Sequence, residues 1–139
     1  MQSYSNIQHD YFLIGSADSL VELTTSYNDN LRGFPTYGLH GFSGLLNFTP
    51  GSNGDKMYIF VEFSNDDIDY YPMTILSPTA TLGEDELLDN PYFITGATGG
   101  TNVTKSFQLI IRDKYVRFSL KDNASGTAGQ GKLIGTFSE

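Results

Sequence analysis

Lys56-Met-Tyr-Ile-Phe-Val-Glu-Phe-Ser64 decides the fold class. Side chains alternate across a strand, so Met57, Ile59, Val61 and Phe63 share one face and Tyr58, Phe60 and Glu62 the other. Both faces are largely apolar, which predicts a central strand covered on two sides. Tyr115-Val-Arg-Phe-Ser-Leu-Lys-Asp122 alternates more cleanly, with Val116, Phe118 and Leu120 set against Arg117, Ser119 and Lys121. That is the pattern of an antiparallel sheet with one wet face. Gly131-Lys-Leu-Ile-Gly-Thr-Phe-Ser138 predicts a closing strand with Leu133 and Phe137 on one side. The predicted core is therefore Ile59, Val61, Phe63, Val116, Phe118, Leu120, Leu133 and Phe137.

Outward from these three, residues 107–112 predict a further strand, joined to the Tyr115 strand by Asp113-Lys114. That joint lacks the Asn-Gly or Asp-Gly of a tight primed hairpin, so a hairpin and one long bent strand both stay open. Weaker strands are expected at residues 11–15, 19–25, 38–48 and 69–74, with turns at Thr49-Pro-Gly-Ser-Asn-Gly-Asp55, Ser64-Asn-Asp-Asp67 and Asn123-Ala-Ser-Gly126. Residues 28–37 read as an irregular loop. Residues 77–106 read as a long excursion, in which 83–90 has the composition of one or two helical turns stopped by Pro91. Within the same stretch, 78–82 and 92–95 are candidate short strands. The expected architecture is all-β: an antiparallel two-sheet β-sandwich, jelly-roll-like, with about eight strands. It forms one domain over residues 1–139, with an N-terminal arm at 1–10 and the excursion at 77–106.

Composition narrows the function. Charged residues make up 17% of the 139 and aromatics 14%, with 15 glycines, a balance opposite to that of disordered chains. Cysteine is absent, which excludes disulfides, thiolate zinc sites, iron–sulfur centres and a Cys nucleophile. Sixteen acidic against eight scattered basic residues give a net charge of −8, unsuited to neutralising phosphates, so no nucleic-acid partner is expected. No apolar run is long enough to cross a bilayer as a helix, and no membrane partner is expected. Met1-Gln-Ser-Tyr-Ser-Asn-Ile-Gln-His-Asp10 lacks the basic start and apolar stretch of a signal peptide, so the expectation is a chain made without Sec-type export.

The motifs that could carry chemistry are weak. Gly126-Thr-Ala-Gly-Gln-Gly-Lys132 has the spacing of a phosphate-binding loop, but Leu133 stands where a magnesium-binding hydroxyl belongs and no helix follows. It reads as a Gly-rich turn before the last strand. Asp66-Asp67-Ile-Asp69 lacks the Gly and bidentate Glu of an EF-hand and reads as a turn between strands. His9 and His40 are isolated, and Gly41-Phe-Ser-Gly44 lacks the second Gly of a nucleophile elbow. Glu22, Glu62, Glu84 and Glu86 offer carboxylates without a spacing that pairs them. The sequons at Asn47, Asn102 and Asn123 matter only in a secretory compartment. Of the adjacent Tyr70 and Tyr71, one is expected in the core and the other exposed. No catalytic residue, cofactor or metal site is assigned, and no enzyme activity is expected.

The run from Lys56 to Met73, a strand leading into Ser64-Asn65-Asp66-Asp67 and then an aromatic, resembles a pattern of β-sandwich structural proteins of tailed bacteriophages. There the turn is Ser-Asn-Asp-Gly followed by a Trp; here Asp67 takes the place of the Gly, and Tyr70 or Tyr71 that of the Trp. Tyr115-Val116-Arg117-Phe118 and the strand opening at Gly131 stand in the later corresponding places, so the resemblance covers roughly residues 40–139. It implies a virion component assembled in the host cytoplasm, first of all a capsid decoration or head-accessory protein. Its partners would be the major capsid protein or other virion proteins, with a homo-oligomer such as a trimer as one arrangement. No site residues carry over, because such proteins act through surfaces. The alternative is a carbohydrate-binding or receptor-binding β-sandwich module of a phage tail or adhesin, which an exposed row of aromatics flanked by Asn, Asp and Arg would favour. A large flat or apolar patch would favour assembly.

Overall fold

The structure is a computed structural model that describes residues 10–15, 20–27, 33–76, 87–89 and 92–138. In chain order its strands are β1 (Asp10–Ile14), β2 (Val21–Glu22), β3 (Phe34–Pro35), β4 (Gly41–Thr49), β5 (Lys56–Ser64) and β6 (Tyr71–Pro72), followed by β7 (Thr74–Leu76), β8 (Leu87–Asp89), β9 (Tyr92–Thr95), β10 (Val103–Ile110), β11 (Tyr115–Asp122) and β12 (Gln130–Ser138). There is no helix among the described residues. Two five-stranded antiparallel sheets pack as a sandwich, and β7 and β8 pair with each other apart from them. The first sheet runs β1-β12-β4-β10, with β2 sharing the outer edge of β12; the second runs β3-β11-β5-β6, with β9 sharing the outer edge of β5.

The core follows the alternation of the four long central strands. Phe42, Leu46 and Phe48 of β4 and Leu133 and Phe137 of β12 face Met57, Ile59 and Val61 of β5 and Val116, Phe118 and Leu120 of β11. Glycines on the core face of the first sheet make room for large neighbouring side chains. Gly44 lies opposite both Gly135 and Phe107, and a Cβ there would stand 2.4 Å from the Phe107 ring. The Phe107 ring, with the edge of the Phe42 ring 2.9 Å from that Cβ, therefore fills the space that a side chain at Gly44 would occupy. Gly131 does the same across the sandwich, since its Cβ would meet the Met57 sulfur at 2.6 Å. Phe42 then touches Phe107, Phe118 and Phe137 with ring centroids 5.6, 4.9 and 5.1 Å away, tying three strands of one sheet to one of the other.

One side of the sandwich is closed by residues 20–27. Val21 and Glu22 pair with β12, and Leu23 NH donates to Gly129 O at 2.8 Å. Thr24 O then accepts from Asp122 NH of β11 in the other sheet at 2.9 Å. On the opposite side, β10 and β9 border a groove of about 500 Å³ that reaches Leu46, Ile59 and Phe107.

The structure departs from the sequence expectation at several points. β10 and β11 form neither a hairpin nor one strand: residues 111–114 turn the chain from one sheet to the other. Ile111 is buried at that corner, and the Thr36 hydroxyl bonds to the carbonyls of Asp113 and Lys114 at 2.9 and 3.1 Å. The stretch 77–106 is not an excursion throughout, since β9 pairs with residues 56–59 and β10 begins at Val103. Where a helical turn was expected, Leu87–Asp89 is a strand; the rest of 78–86 and the arm at 1–9 lie outside the described residues. The expected loop at 28–37 contains the short strand Phe34–Pro35, its residues 28–32 also lying outside the described set. Of the predicted core, Phe63 is only partly buried, while Phe42, Leu46, Phe48, Met57, Ile111 and Leu23 belong to it as well. Among the described residues the strands number twelve where about eight are expected: β3, β8 and β9 are additional, and the expected strand at 69–74 is divided between β6 and β7.

Phe118→Ala should destabilise by about 3–5 kcal/mol in chemical denaturation, the usual cost for a buried Phe. Gly44→Ala should cost about 1–3 kcal/mol through overpacking, and much of that loss should be recovered in the double variant with Phe107→Leu. Additive losses would mean that the clash with the Phe42 ring, 2.9 Å from the same Cβ, and not the one with Phe107 sets the cost.

Candidate functional site

The acidic turn after β5 is built around one carboxylate. Ser64, buried at the strand end, donates its hydroxyl to Asp66 Oδ1 at 2.9 Å and accepts the backbone NH groups of Asp66 and Asp67. Asp66 Oδ1 also accepts the NH groups of Ile68 and Asp69, each at 2.9 Å. These donors, the Asp69 NH foremost, then the Ile68 NH and the Ser64 hydroxyl, hold the Asp66 carboxyl below the usual carboxylate range. The oxygen is thus occupied by the turn itself. Among the described residues no group of three or more His, Asp or Glu is placed to hold a metal.

Asp67 follows with left-handed backbone, φ 59°, which suits Gly far better than a branched or bulky residue and which Asp tolerates. Its carboxylate accepts the Tyr70 hydroxyl. Burial first, and then that carboxylate, push the Tyr70 hydroxyl pKa up. The Tyr70 ring lies under the Arg117 guanidinium, 3.9 Å from centroid to Cζ. Arg117 makes a forked pair with Glu62 on the neighbouring strand, Nε to Oε1 at 2.9 Å and Nη2 to Oε2 at 3.2 Å. Turn and strand thus form one connected unit, Asp67–Tyr70–Arg117–Glu62. The expectation for the tyrosine pair is corrected: Tyr71 is exposed, but Tyr70 packs under Arg117 and is no part of the core.

The other candidates have structural employment. Gly129 NH donates to the buried Asp122 carboxylate at 2.7 Å, and residues 130–132 are already strand, so Gly126–Lys132 is a turn into β12. His40 Nδ1 donates to Ile111 O at 3.0 Å beside the corner. Glu62 is committed to Arg117. His9, Glu84 and Glu86 lie outside the described residues. Each sequon Asn is hydrogen-bonded, Asn123 to Lys56 NH and Asn47 to Asn102 and Thr104.

What the sequence did not reveal is how different the two outer faces are. On the second sheet, cations interleave with rings. Lys56 lies over Phe93 at 4.8 Å, and Lys121 over Tyr27 at 4.6 Å and Tyr58 at 5.4 Å, while Tyr27 packs against Phe60 at 5.2 Å. This layer half-buries the face that the sequence marked as apolar. It buries Ser119 outright and pushes the Tyr27 hydroxyl up to about 12, by desolvation and then by the neighbouring Tyr58.

The outer face of the first sheet is poor in charge over β10, β4 and β12, with Glu22 of β2 beside Gln130 at its edge. By register it presents Thr104, Ser106, Gln108 and Ile110 of β10 beside Ser43, Leu45, Asn47 and Thr49 of β4. Next to these stand Gln130, Lys132, Ile134, Thr136 and Ser138 of β12. Lys132 is the one charged residue on these three strand faces. Asn47, Thr49, Asn102 and Thr104 are joined by hydrogen bonds of 2.9–3.3 Å along one end. No protein-family model matches the chain, and no curated protein matches it.

Asp66→Asn should lower the melting temperature at neutral pH. Because the folded-state pKa of Asp66 is depressed, its contribution is complete above the unfolded carboxylate pKa and is lost as pH falls through the folded value. The gap between wild type and variant should therefore close on acidification below the ordinary carboxylate range. A gap independent of pH would show that the charge on Asp66 is not what holds the turn. EDTA should leave the wild-type melting temperature within about a degree, since a ligand bound only to the native state would otherwise raise it.

Proposed function

We propose that the chain is a non-enzymatic structural protein of a virus particle, a decoration protein that binds the assembled head of a tailed phage through the outer face of its first sheet. The observation that carries this reading is the charge-poor surface of β10, β4 and β12 on a chain whose net charge is −8. Association loses most when charges leave water and when long side chains are immobilised. Short Ser, Thr and Asn side chains avoid both costs, and the Asn47–Thr49–Asn102–Thr104 network already satisfies part of the polar surface internally. Leu45 and Ile134 lie side by side in the register and give the middle of the face an apolar centre.

On a molecule otherwise strongly negative, this is the face a protein shell can approach with least repulsion. Many copies on a symmetric lattice let a modest contact per copy suffice. Support also comes from the parts of the phage-like pattern meeting in space. The Ser64–Asp67 turn, its following aromatic Tyr70 and Arg117 of the Tyr-Val-Arg strand form one unit, and the position at which the pattern has Gly carries a positive φ.

Purified protein should co-sediment with particles lacking it in a saturable, stoichiometric amount. Leu45→Glu, placing a charge at the centre of the face, should raise the half-saturating concentration about tenfold or more without lowering the melting temperature appreciably. Protein that stays in the supernatant at saturating concentration would overturn the reading.

A further inference from the structure

The second sheet ends in a cleft of about 580 Å³, and its rim carries the two non-glycine residues with left-handed backbone among those described, Tyr37 and Asp67. Tyr37 is the instructive one. Leu39 NH donates to Thr36 O at 2.9 Å, closing a turn whose central residues, Tyr37 and Gly38, have φ of 52° and 77°. Positive φ at both positions defines a primed turn, for which Asn-Gly or Gly-Gly is the unstrained choice. A tyrosine there costs conformational energy, and packing does not repay it, because the side chain is 83% exposed. Thr36, fixed by its bonds to Asp113 O and Lys114 O, anchors the turn so that the ring is held out over the cleft. Strain kept with an exposed aromatic is what a binding site shows and what a purely structural turn avoids.

We infer that this cleft is a saccharide-binding site, separate from the shell-binding face. Tyr37, Tyr115, Tyr70 and Ile68 line it together with Asp67 and Arg117. A pyranose ring presents apolar C–H faces and a rim of hydroxyls. It is matched by an exposed aromatic surface with a carboxylate and a guanidinium close by, which keep Asp67 Oδ2 and Arg117 Nη1 for ring hydroxyls beside the atoms engaged by Tyr70 and Glu62. Those two groups are already positioned: Arg117 by its forked pair with Glu62 and its stacking on Tyr70, Asp67 by the Tyr70 hydroxyl. Gly33 is part of the same arrangement, since a Cβ there would overlap the Tyr70 hydroxyl. The volume falls within the range of small-ligand clefts, roughly 300–1,000 Å³. The net charge of −8 argues against a nucleotide or nucleic acid.

The test uses the whole chain on an array of immobilised hexose, N-acetylhexosamine and uronic acid oligosaccharides. Those retained are then titrated in solution against tyrosine fluorescence, the chain having no Trp. The informative variant is Tyr37→Asn, because Asn suits the turn. It should melt no lower than wild type, bind the retained oligosaccharide at least about tenfold more weakly, and still co-sediment with particles as wild type does. Three outcomes overturn the assignment. One is an array on which nothing is retained, or retention unchanged in Tyr37→Asn. Another is a proline-rich peptide that saturates the cleft in a Tyr37-dependent way while no oligosaccharide binds. The third is loss of particle binding together with saccharide binding, which would place the cleft in the shell contact. Failure of Leu45→Glu alone to affect co-sedimentation bears on the shell-binding face and leaves the cleft untouched.

Discussion

The packing of the Phe42 ring is the contact on which the rest of the structure depends. It lies against Phe107 and Phe137 of its own sheet and stacks on Phe118 of the other. Four phenylalanines can meet there because glycine occupies the core-facing positions beside them. Gly44 and Gly135 are paired in the register, and Phe107 lies over the space left at Gly44. A row of two glycines under large rings is the sheet version of alternating large and small residues across a packed layer. It fixes which strands are neighbours, because only a strand bringing Phe107 opposite Gly44 fills the gap. The same arrangement at Gly131 admits Met57 from the facing sheet. Fold specificity here is carried as much by side chains that are missing as by those that are present.

That explains which strands were legible in the sequence. β5 and β11 lie in the second sheet, where core positions hold Met, Ile, Val, Phe and Leu without interruption, and their bounds follow directly from the alternation. In β4 glycine interrupts the core face and Leu45 sits on the outer one, so the alternation of Phe42, Leu46 and Phe48 is blurred. β10 is harder still. It borders the groove, its side chains are mostly exposed, and Thr104-Lys105-Ser106 reads as loop until its partner residues in β4 are known. β9 has four residues and pairs with only half of β5, a length at which pattern carries little information. The helical composition of 83–90 gave way at Leu87–Asp89 to pairing with β7, a non-local interaction that composition does not contain.

The candidate surfaces were legible only in part, for a related reason. Ser64-Asn-Asp-Asp67 announced a turn, and the turn is what those residues make. That Tyr70 would lie under Arg117 required the β5–β11 register, which places Arg117 beside Glu62 and hence above the turn. The charge-poor outer face needed the register of three strands drawn from distant parts of the chain. No local window shows that Ser43, Gln108 and Thr136 are side by side. Tyr37 did have a local signal: Thr36-Tyr-Gly-Leu39 is a plausible primed turn with an unsuitable residue at its first central position. Recognising it depends on knowing that Leu39 NH reaches Thr36 O.

Under the proposed reading, the contrast between the two outer faces would divide the work of the molecule. A surface that must bury a wide area against a protein gains from having little to desolvate, and β10, β4 and β12 carry mostly short neutral side chains and a small apolar centre there. A surface that must hold a small polar ligand needs fixed charges and rings at an edge. The second sheet supplies these by spending its cations internally: Lys56, Lys121 and Arg117 each lie over an aromatic ring, and Arg117 also pairs with Glu62. Such pairing stiffens long side chains before any ligand arrives, so less freedom is left to lose on binding. A sandwich has two outer faces by construction, and antiparallel strands let each face be composed independently, one residue in two. A chain of this size could therefore, as proposed, bind a shell with one face and present a cleft beside the other, provided that the core between them is rigid. Phe42 and the glycines beneath its neighbours supply that rigidity.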